Sequence, residues 1–178
     1  MSEVKIVANL KIDTMTIYDR NGKQITKINY VNDQIFGNYK PYDQIFGYYR
    51  VDGNVIGDNF NGKVKKYHSN GNLYSEENYE LGSIEGITKY YSDENKLSST
   101  QNYFNNLKNG ISNYYGPDGK TIIYQLKYKN GNIIAVAAIK NNKPTDFIPV
   151  GKDTINIVSY YPDGKKSYEV TFVNGEKS

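Results

Sequence analysis

A tyrosine-headed phrase returns along this chain at Tyr67, Tyr90, Tyr114 and Tyr160, in steps of 23, 24 and 46 residues. The last step is twice the first. A second aromatic follows each opener by 12 to 14 residues, at Tyr79, Tyr103, Tyr128 and Phe172. Another turn comes next, as in Asn130-Gly131 and Asn174-Gly175. A fixed period of this size marks a repeat architecture, one small unit stacked several times. Repeat proteins present extended surfaces, so the expectation moves from catalysis towards binding.

The units read as β-hairpins. Asn-Gly or Asp-Gly stands at Asn21-Gly22, Asp52-Gly53, Asn61-Gly62, Asn70-Gly71, Asn109-Gly110, Asp118-Gly119, Asn130-Gly131, Asp163-Gly164 and Asn174-Gly175. Such pairs favour tight turns in which both central residues take positive φ. Between them, alternation puts Ile122, Tyr124, Leu126 and Tyr128 on one face, and likewise Ile155, Ile157, Ser159 and Tyr161. Tyr168, Val170 and Phe172 form a returning strand. Sustained helical spacing is missing, and β-branched and aromatic residues dominate the runs. The expected fold is all-β: tandem antiparallel hairpins in a single array over 1–178. Residues 1–60 read as irregular N-terminal hairpins or a cap, 61–131 as the best-defined repeats, and 132–178 as a degenerate repeat plus a C-terminal hairpin. Tyr18 to Tyr30 resembles one unit. Asp33-Gln34-Ile35-Phe36-Gly37 recurs as Asp43-Gln44-Ile45-Phe46-Gly47, a local duplication.

Hydrophobic residues make up 38%, which predicts shallow burial spread along the array instead of one deep core. The 19 tyrosines compensate, since each ring half-buries while its hydroxyl stays wet. Net charge is +3, with residues 1–89 neutral overall and the excess in 90–178. That is too diffuse for a nucleic-acid footprint. Without cysteine there are no disulfides and no thiolate metal sites. The start lacks a secretory pattern, and no apolar run approaches a membrane span, so a cytoplasmic location is expected.

Gly62-Lys63-Val64-Lys65-Lys66-Tyr67-His68-Ser69-Asn70-Gly71-Asn72-Leu73 resembles the bacterial MORN-repeat-variant unit. So does Asn109-Gly110-Ile111-Ser112-Asn113-Tyr114-Tyr115-Gly116-Pro117-Asp118-Gly119-Lys120. The resemblance covers 60–131 well, and 155–175 and 16–37 more loosely. It implies a row of hairpins forming an elongated, twisted sheet. Some bacterial members are YwqK-type antitoxins, which neutralise a toxin by binding it. Asn95 replaces the turn glycine, the 135–149 unit is eroded, and 33–50 has no counterpart in the repeat.

Catalytic candidates are thin. His68, the one histidine, reads as the second aromatic position, matching Tyr91 and Tyr115. It has no evident nucleophile or orienting acid, and one histidine without cysteine makes no metal site. Gly57 to Val64 has P-loop spacing through Lys63, but Val64 replaces the required hydroxyl and no helix follows. Glu76 and Glu77 point to opposite faces of one strand and read as solvated positions pairing with Lys63, Lys65 and Lys66. No catalytic residue, metal or cofactor is assigned.

The expected function is non-enzymatic binding of a protein. The leading reading is an inhibitor: an antitoxin, an immunity protein or a phage anti-defence protein. The candidate partner-binding residues are the off-period aromatics Phe36, Tyr39, Tyr42, Phe46, Tyr48, Tyr49 and Tyr74, since tyrosine is enriched at interfaces. Residues 34–49 read equally well as a cap. Alternatives are a nucleic-acid-binding module, a membrane-surface or scaffold protein, and a hydrolase. Self-association through sheet edges stays open.

Overall fold

The computed structural model describes residues 3–7, 10–43, 48–151, 154–173 and 176–177. Every regular element among them is a strand, and the chain divides into two compact units, Met1–Ile84 and Glu85–Ser178. The N-terminal unit holds β1 (Glu3–Val7), β2 (Leu10–Tyr18), β3 (Gln24–Val31), β4 (Gln34–Tyr39), β5 (Tyr42–Asp43), β6 (Tyr48–Tyr49), β7 (Val51–Ile56), β8 (Asn59–Tyr67), β9 (Leu73–Glu80) and β10 (Ser83–Ile84). Its ladder runs β1-β2-β3-β4-β7-β8-β9, antiparallel throughout. β10 pairs with the end of β9, and β5 and β6 pair with each other.

The C-terminal unit holds β11 (Gly86–Tyr91), β12 (Leu97–Phe104), β13 (Leu107–Lys108), β14 (Gly110–Tyr115), β15 (Ile122–Lys129), β16 (Asn132–Lys140), β17 (Lys143–Pro144), β18 (Ile148–Pro149), β19 (Ile155–Tyr160), β20 (Lys166–Val173) and β21 (Glu176–Lys177). Here β11-β12-β14-β15-β16 form one ladder and β19-β20-β21 another. The tandem antiparallel hairpins expected from the period are present in both units.

Two kinds of turn join the strands, and this corrects the reading of the Asn-Gly and Asp-Gly pairs. The wide turns are Asp19–Lys23, His68–Asn72, Ser92–Lys96, Gly116–Thr121 and Tyr161–Lys165, each closed by a bond from its first N–H to its last carbonyl at 2.8 or 2.9 Å. Their fourth residue alone is left-handed: Gly22, Gly71, Asn95, Gly119 or Gly164, with φ from 61° to 84°. Asn95 fills the glycine's place because asparagine tolerates that conformation. In three of these turns the residue before the glycine, Asn70, Asp118 or Asp163, instead accepts backbone N–H bonds, as Asp118 Oδ1 does from Lys120 and Thr121 at 2.9 Å. With the Thr121 hydroxyl foremost, these bonds hold the Asp118 carboxyl down to about 2.

The narrow turns have two residues, both left-handed: Asn32-Asp33, Gly57-Asp58, Leu81-Gly82, Asn105-Asn106, Asn130-Gly131 and Asn141-Asn142. That is the type I′ pattern, matched to strand twist. Among the described residues only Asn130-Gly131, of the nine predicted pairs, is such a turn. Asp52-Gly53 lies inside β7, and Asn174-Gly175 lies outside the described residues.

A register shift precedes each wide turn, and it moves the phase of the repeat. Tyr18, Tyr67, Tyr91, Tyr115 and Tyr160 follow the shift, paired with Gln24, Leu73, Leu97, Ile122 and Lys166. Tyr90 and Tyr114 are therefore equivalent to Lys66, not to Tyr67. His68 is a turn residue equivalent to Ser92 and Gly116, not to Tyr91 and Tyr115. Tyr161 likewise sits in a turn, while Ile155, Ile157 and Ser159 share a strand face as expected. At the other end of each hairpin Gly62, Gly86 and Gly110, with φ of 84°, 72° and 95°, pair with the closing tyrosines Tyr79, Tyr103 and Tyr128.

Burial is not uniformly shallow, as composition suggested. The C-terminal unit has a true core of Tyr124, Leu126, Tyr128, Val136, Ile157, Val170 and Phe172. It forms because β16 is apolar on both faces, with Ala135, Val136, Ala137 and Ile139 all buried, and the β19–β20 hairpin packs against β15 and β16. Tyr124 stacks on Tyr114 at 4.4 Å and on Tyr168 at 3.9 Å. The N-terminal unit buries fewer apolar side chains, among them Ile28, Val55 and Val64.

Two stability predictions follow the backbone and the core. Leu81 is a leucine in a left-handed turn position (φ 45°) with its side chain 66% exposed. Leu81→Asn is expected to raise unfolding free energy in urea by about 1 kcal/mol, by relieving the left-handed penalty. Thr88 is fully buried with no partner for its hydroxyl, where the equivalent residue of the preceding hairpin is Val64. Thr88→Val is expected to stabilise by about 1 kcal/mol in the same assay.

Candidate functional site

The face of the hairpins that carries Val64 and Thr88, the inner face, is spent on internal bonding. In β8–β9, Glu77 is 3% exposed. Its Oε1 accepts from the Ser75 hydroxyl at 2.7 Å, and its Oε2 from the Tyr79 hydroxyl at 2.7 Å and the Lys66 ammonium at 2.8 Å. Lys66 also donates to the Tyr79 hydroxyl at 3.2 Å. Burial pushes the Glu77 carboxyl up, but the bonds from Lys66, Ser75 and Tyr79 outweigh it and leave it lowered. Burial lowers the Lys66 ammonium, and the bonds to Glu77 and Tyr79 more than reverse this. Both carboxylate oxygens are engaged, so the cluster locks the hairpin and offers no idle acid or base. The expectation of a solvated Glu77 is thereby corrected: alternation was right, and Glu76 does face out towards Lys65 at 3.9 Å, but the opposite face is closed.

The same column is neutral in β11–β12, where Gln101 accepts from the Tyr103 hydroxyl at 3.1 Å and donates to Ser99 at 3.1 Å. Tyr90 takes the place of Lys66, its hydroxyl 3.0 Å from that of Tyr103. In β14–β15 the column is Leu126, and Tyr114 meets Tyr128 at 3.1 Å.

The opposite face of the C-terminal unit is available. Asn102 pairs with Ile87 and donates from Nδ2 to the Ile111 carbonyl at 2.9 Å, so Ile87, Asn102 and Ile111 lie in one row. Two residues along β12 comes Phe104, paired with Leu107 across the narrow turn. Phe104 is 64% and Ile87 55% exposed, and Leu107 and Ile111 are exposed too. Beside this apolar strip runs a satisfied polar row, in which Gln125 donates to Asn113 at 2.7 Å and Asn113 to Thr100 at 3.0 Å. Sequence reasoning missed the strip because it ranked tyrosines. Counting every second residue of β12 from Asn102 would have found Phe104.

The predicted partner-binding residues do not form one cluster. Phe36, exposed, pairs with the exposed Ile56 on the outer face of β4–β7. Tyr39, three residues on, points to the inner face, 6.3 Å from Phe60. Tyr74 stands at the wide-turn end, edge-on to His68 at 5.1 Å. Phe46 lies outside the described residues, as do the side chains of Tyr42, Tyr48 and Tyr49, although Tyr42 pairs with Tyr49 through the backbone. The P-loop spacing is dissolved by the fold: Gly57 sits in a narrow turn and Lys63 continues a strand.

The family model of the MORN repeat variant matches residues 60–81 and 157–174. These segments coincide with the β8–β9 and β19–β20 hairpins, which are similar to that repeat. MORN repeats are in general binding modules for proteins or membranes. Among the described residues no helix is long and apolar enough to cross a membrane. A comparison with curated proteins found no match.

The Lys66–Glu77 cluster sets a pH dependence. Glu77 is held below 4.5, so its contribution is complete above that value and drains as pH falls through the folded pKa. Lys66→Met is expected to cost about 2 kcal/mol at neutral pH, a buried-pair loss discounted for partial exposure of the lysine. Lys66→Tyr with Glu77→Gln, which copies the neighbouring hairpin, should fold and show a flatter urea midpoint between about pH 5 and pH 3 than wild type.

Proposed function

We propose that this chain is a non-enzymatic repeat protein that binds a protein partner and inhibits it, as an antitoxin, immunity protein or anti-defence protein does. The observation that carries the reading is the exposed strip of Ile87, Phe104, Leu107 and Ile111. Contiguous exposed apolar groups flanked by polar residues mark interaction surfaces. The strip stands on a sheet whose other face is fixed by tyrosine stacking and a packed core, so little ordering is lost on binding. Phe36 with Ile56 offers a second, smaller apolar pair.

The test is capture from a lysate of the source organism with wild type and with Phe104→Ser/Ile111→Ser, followed by titration of the captured protein's activity. One protein recovered at one-to-one stoichiometry, silenced by wild type and lost in the double variant, is the expected result. Phe36→Ser run alongside reports whether residues 34–49 take part. Recovery of nuclease-sensitive material, or a partner that keeps full activity at saturation, overturns the inhibitor reading.

A further inference from the structure

On the outer face of the N-terminal unit, Asn38, Asp52, Gly53, Asn54, Lys63 and Lys65 line an open hollow of about 260 Å³. We propose that this hollow is an oxyanion site that takes a carboxylate from an acidic protein segment. The register makes the juxtaposition: Asn38 pairs with Asn54, and Asp52 with Lys65. Lys63 and Lys65 are two residues apart in β8 and so share a face. All the lining residues except glycine are polar, and no apolar side chain is among them.

The donors outnumber the acceptors. Asp52 is already held by Lys40 at 2.7 Å and approached by the Asn38 amide at 3.4 Å. Among the described residues the ion pair of Lys65 is with Glu76, at 3.9 Å and open to solvent. Among the described residues Lys63 and Asn54 have no side-chain hydrogen bond or ion pair. Two ammoniums (Lys63, Lys65) and one carboxylate (Asp52) line the hollow, an excess of one positive charge. Ammonium and amide donors lining one hollow, with its single carboxylate already held by Lys40, suit an oxyanion, since such charge-assisted bonds are the strong ones. The walls are set in advance: a Cβ on Gly53 would fall 2.8 Å from Val64 Cγ2, so β7 and β8 lie in tight contact beneath the site.

The excess charge selects the source. Polyphosphate backbones are held by many neutralising cations. Here one carboxylate sits beside two ammoniums, and residues 1–89 carry no net charge. One carboxylate cancels the excess. The volume suffices for that group with a few waters, at about 30 Å³ each. Lys63 is the lysine that P-loop spacing would have aimed at a nucleotide, but in a strand it serves the sheet face instead.

The test is an amide-detected NMR titration of the whole chain with a capped tetraglutamate peptide, and separately with inorganic phosphate and a short single-stranded oligonucleotide. The expected result is saturable shifts at Lys63, Lys65 and the Asn54 side-chain amide with the peptide. In Lys63→Gln/Lys65→Gln the affinity should fall about tenfold, the loss of one strong charge-assisted contact. Lys63→Arg should retain binding, which separates a site from a folding defect. Both lysines are exposed, so unchanged backbone spectra are expected in all variants. Phosphate or oligonucleotide binding more tightly than the peptide overturns the carboxylate assignment. Shifts that are absent, scattered or indifferent to Lys63→Gln/Lys65→Gln overturn the site. Because Phe104→Ser/Ile111→Ser leaves the hollow intact, loss of partner capture there does not bear on this result.

Discussion

One backbone position in each wide turn governs the hairpin behind it. The fourth turn residue must be left-handed, and Gly22, Gly71, Asn95, Gly119 and Gly164 meet that demand. The turn then closes with one residue more than strict pairing allows, and the ladder shifts register as the strand begins. In a β-strand a slip of one residue exchanges the two faces. This shift therefore decides that Lys66, Tyr90 and Tyr114 face inward and meet the closing tyrosines. The inner clusters, and by subtraction the surfaces left for binding, descend from it.

The column of Glu77, Gln101 and Leu126 shows how one backbone plan tolerates three chemistries. Each residue is almost fully buried. Glu77 survives because three donors converge on it, and Gln101 because a hydroxyl stands on each side of its amide. Leu126 needs no such partners because the β19–β20 hairpin contributes to the same core. A buried polar group costs little when every lone pair is met and a great deal when one is not. Among the described residues, the partnerless hydroxyls of Thr88 and Ser112, across from Gln101 and Leu126, are places where that account is incomplete.

With the inner face committed, interaction chemistry falls to the outer one. There the two units differ. The C-terminal unit displays an apolar strip beside a row of hydroxyl and amide side chains already bonded to one another, while the N-terminal unit displays lysines and amides with unused donors around a hollow. An apolar strip gains by excluding water, and a cationic hollow gains by neutralising charge.

The period in tyrosines, the glycine punctuation and the alternation of Tyr124, Leu126 and Tyr128 were enough to determine an all-β hairpin repeat, because turn φ and side-chain alternation are local properties. The phase of the repeat was not legible. Tyr90-Tyr91 and Tyr114-Tyr115 each offer two tyrosines in a row, and only the backbone shift says which one matches Tyr67. The site was not legible: Phe36 and Tyr39, named together from sequence, lie on opposite faces, and the strip around Phe104 draws on β11, β12, β13 and β14. Which residues of different strands stand side by side depends on register, and register depends on turns and bulges summed along the chain. The sequence by itself determined the kind of unit and its repetition. Only the tertiary structure decided that the last hairpin folds onto β15 and β16, that Glu77 is buried and bonded, and which face remains to meet another molecule.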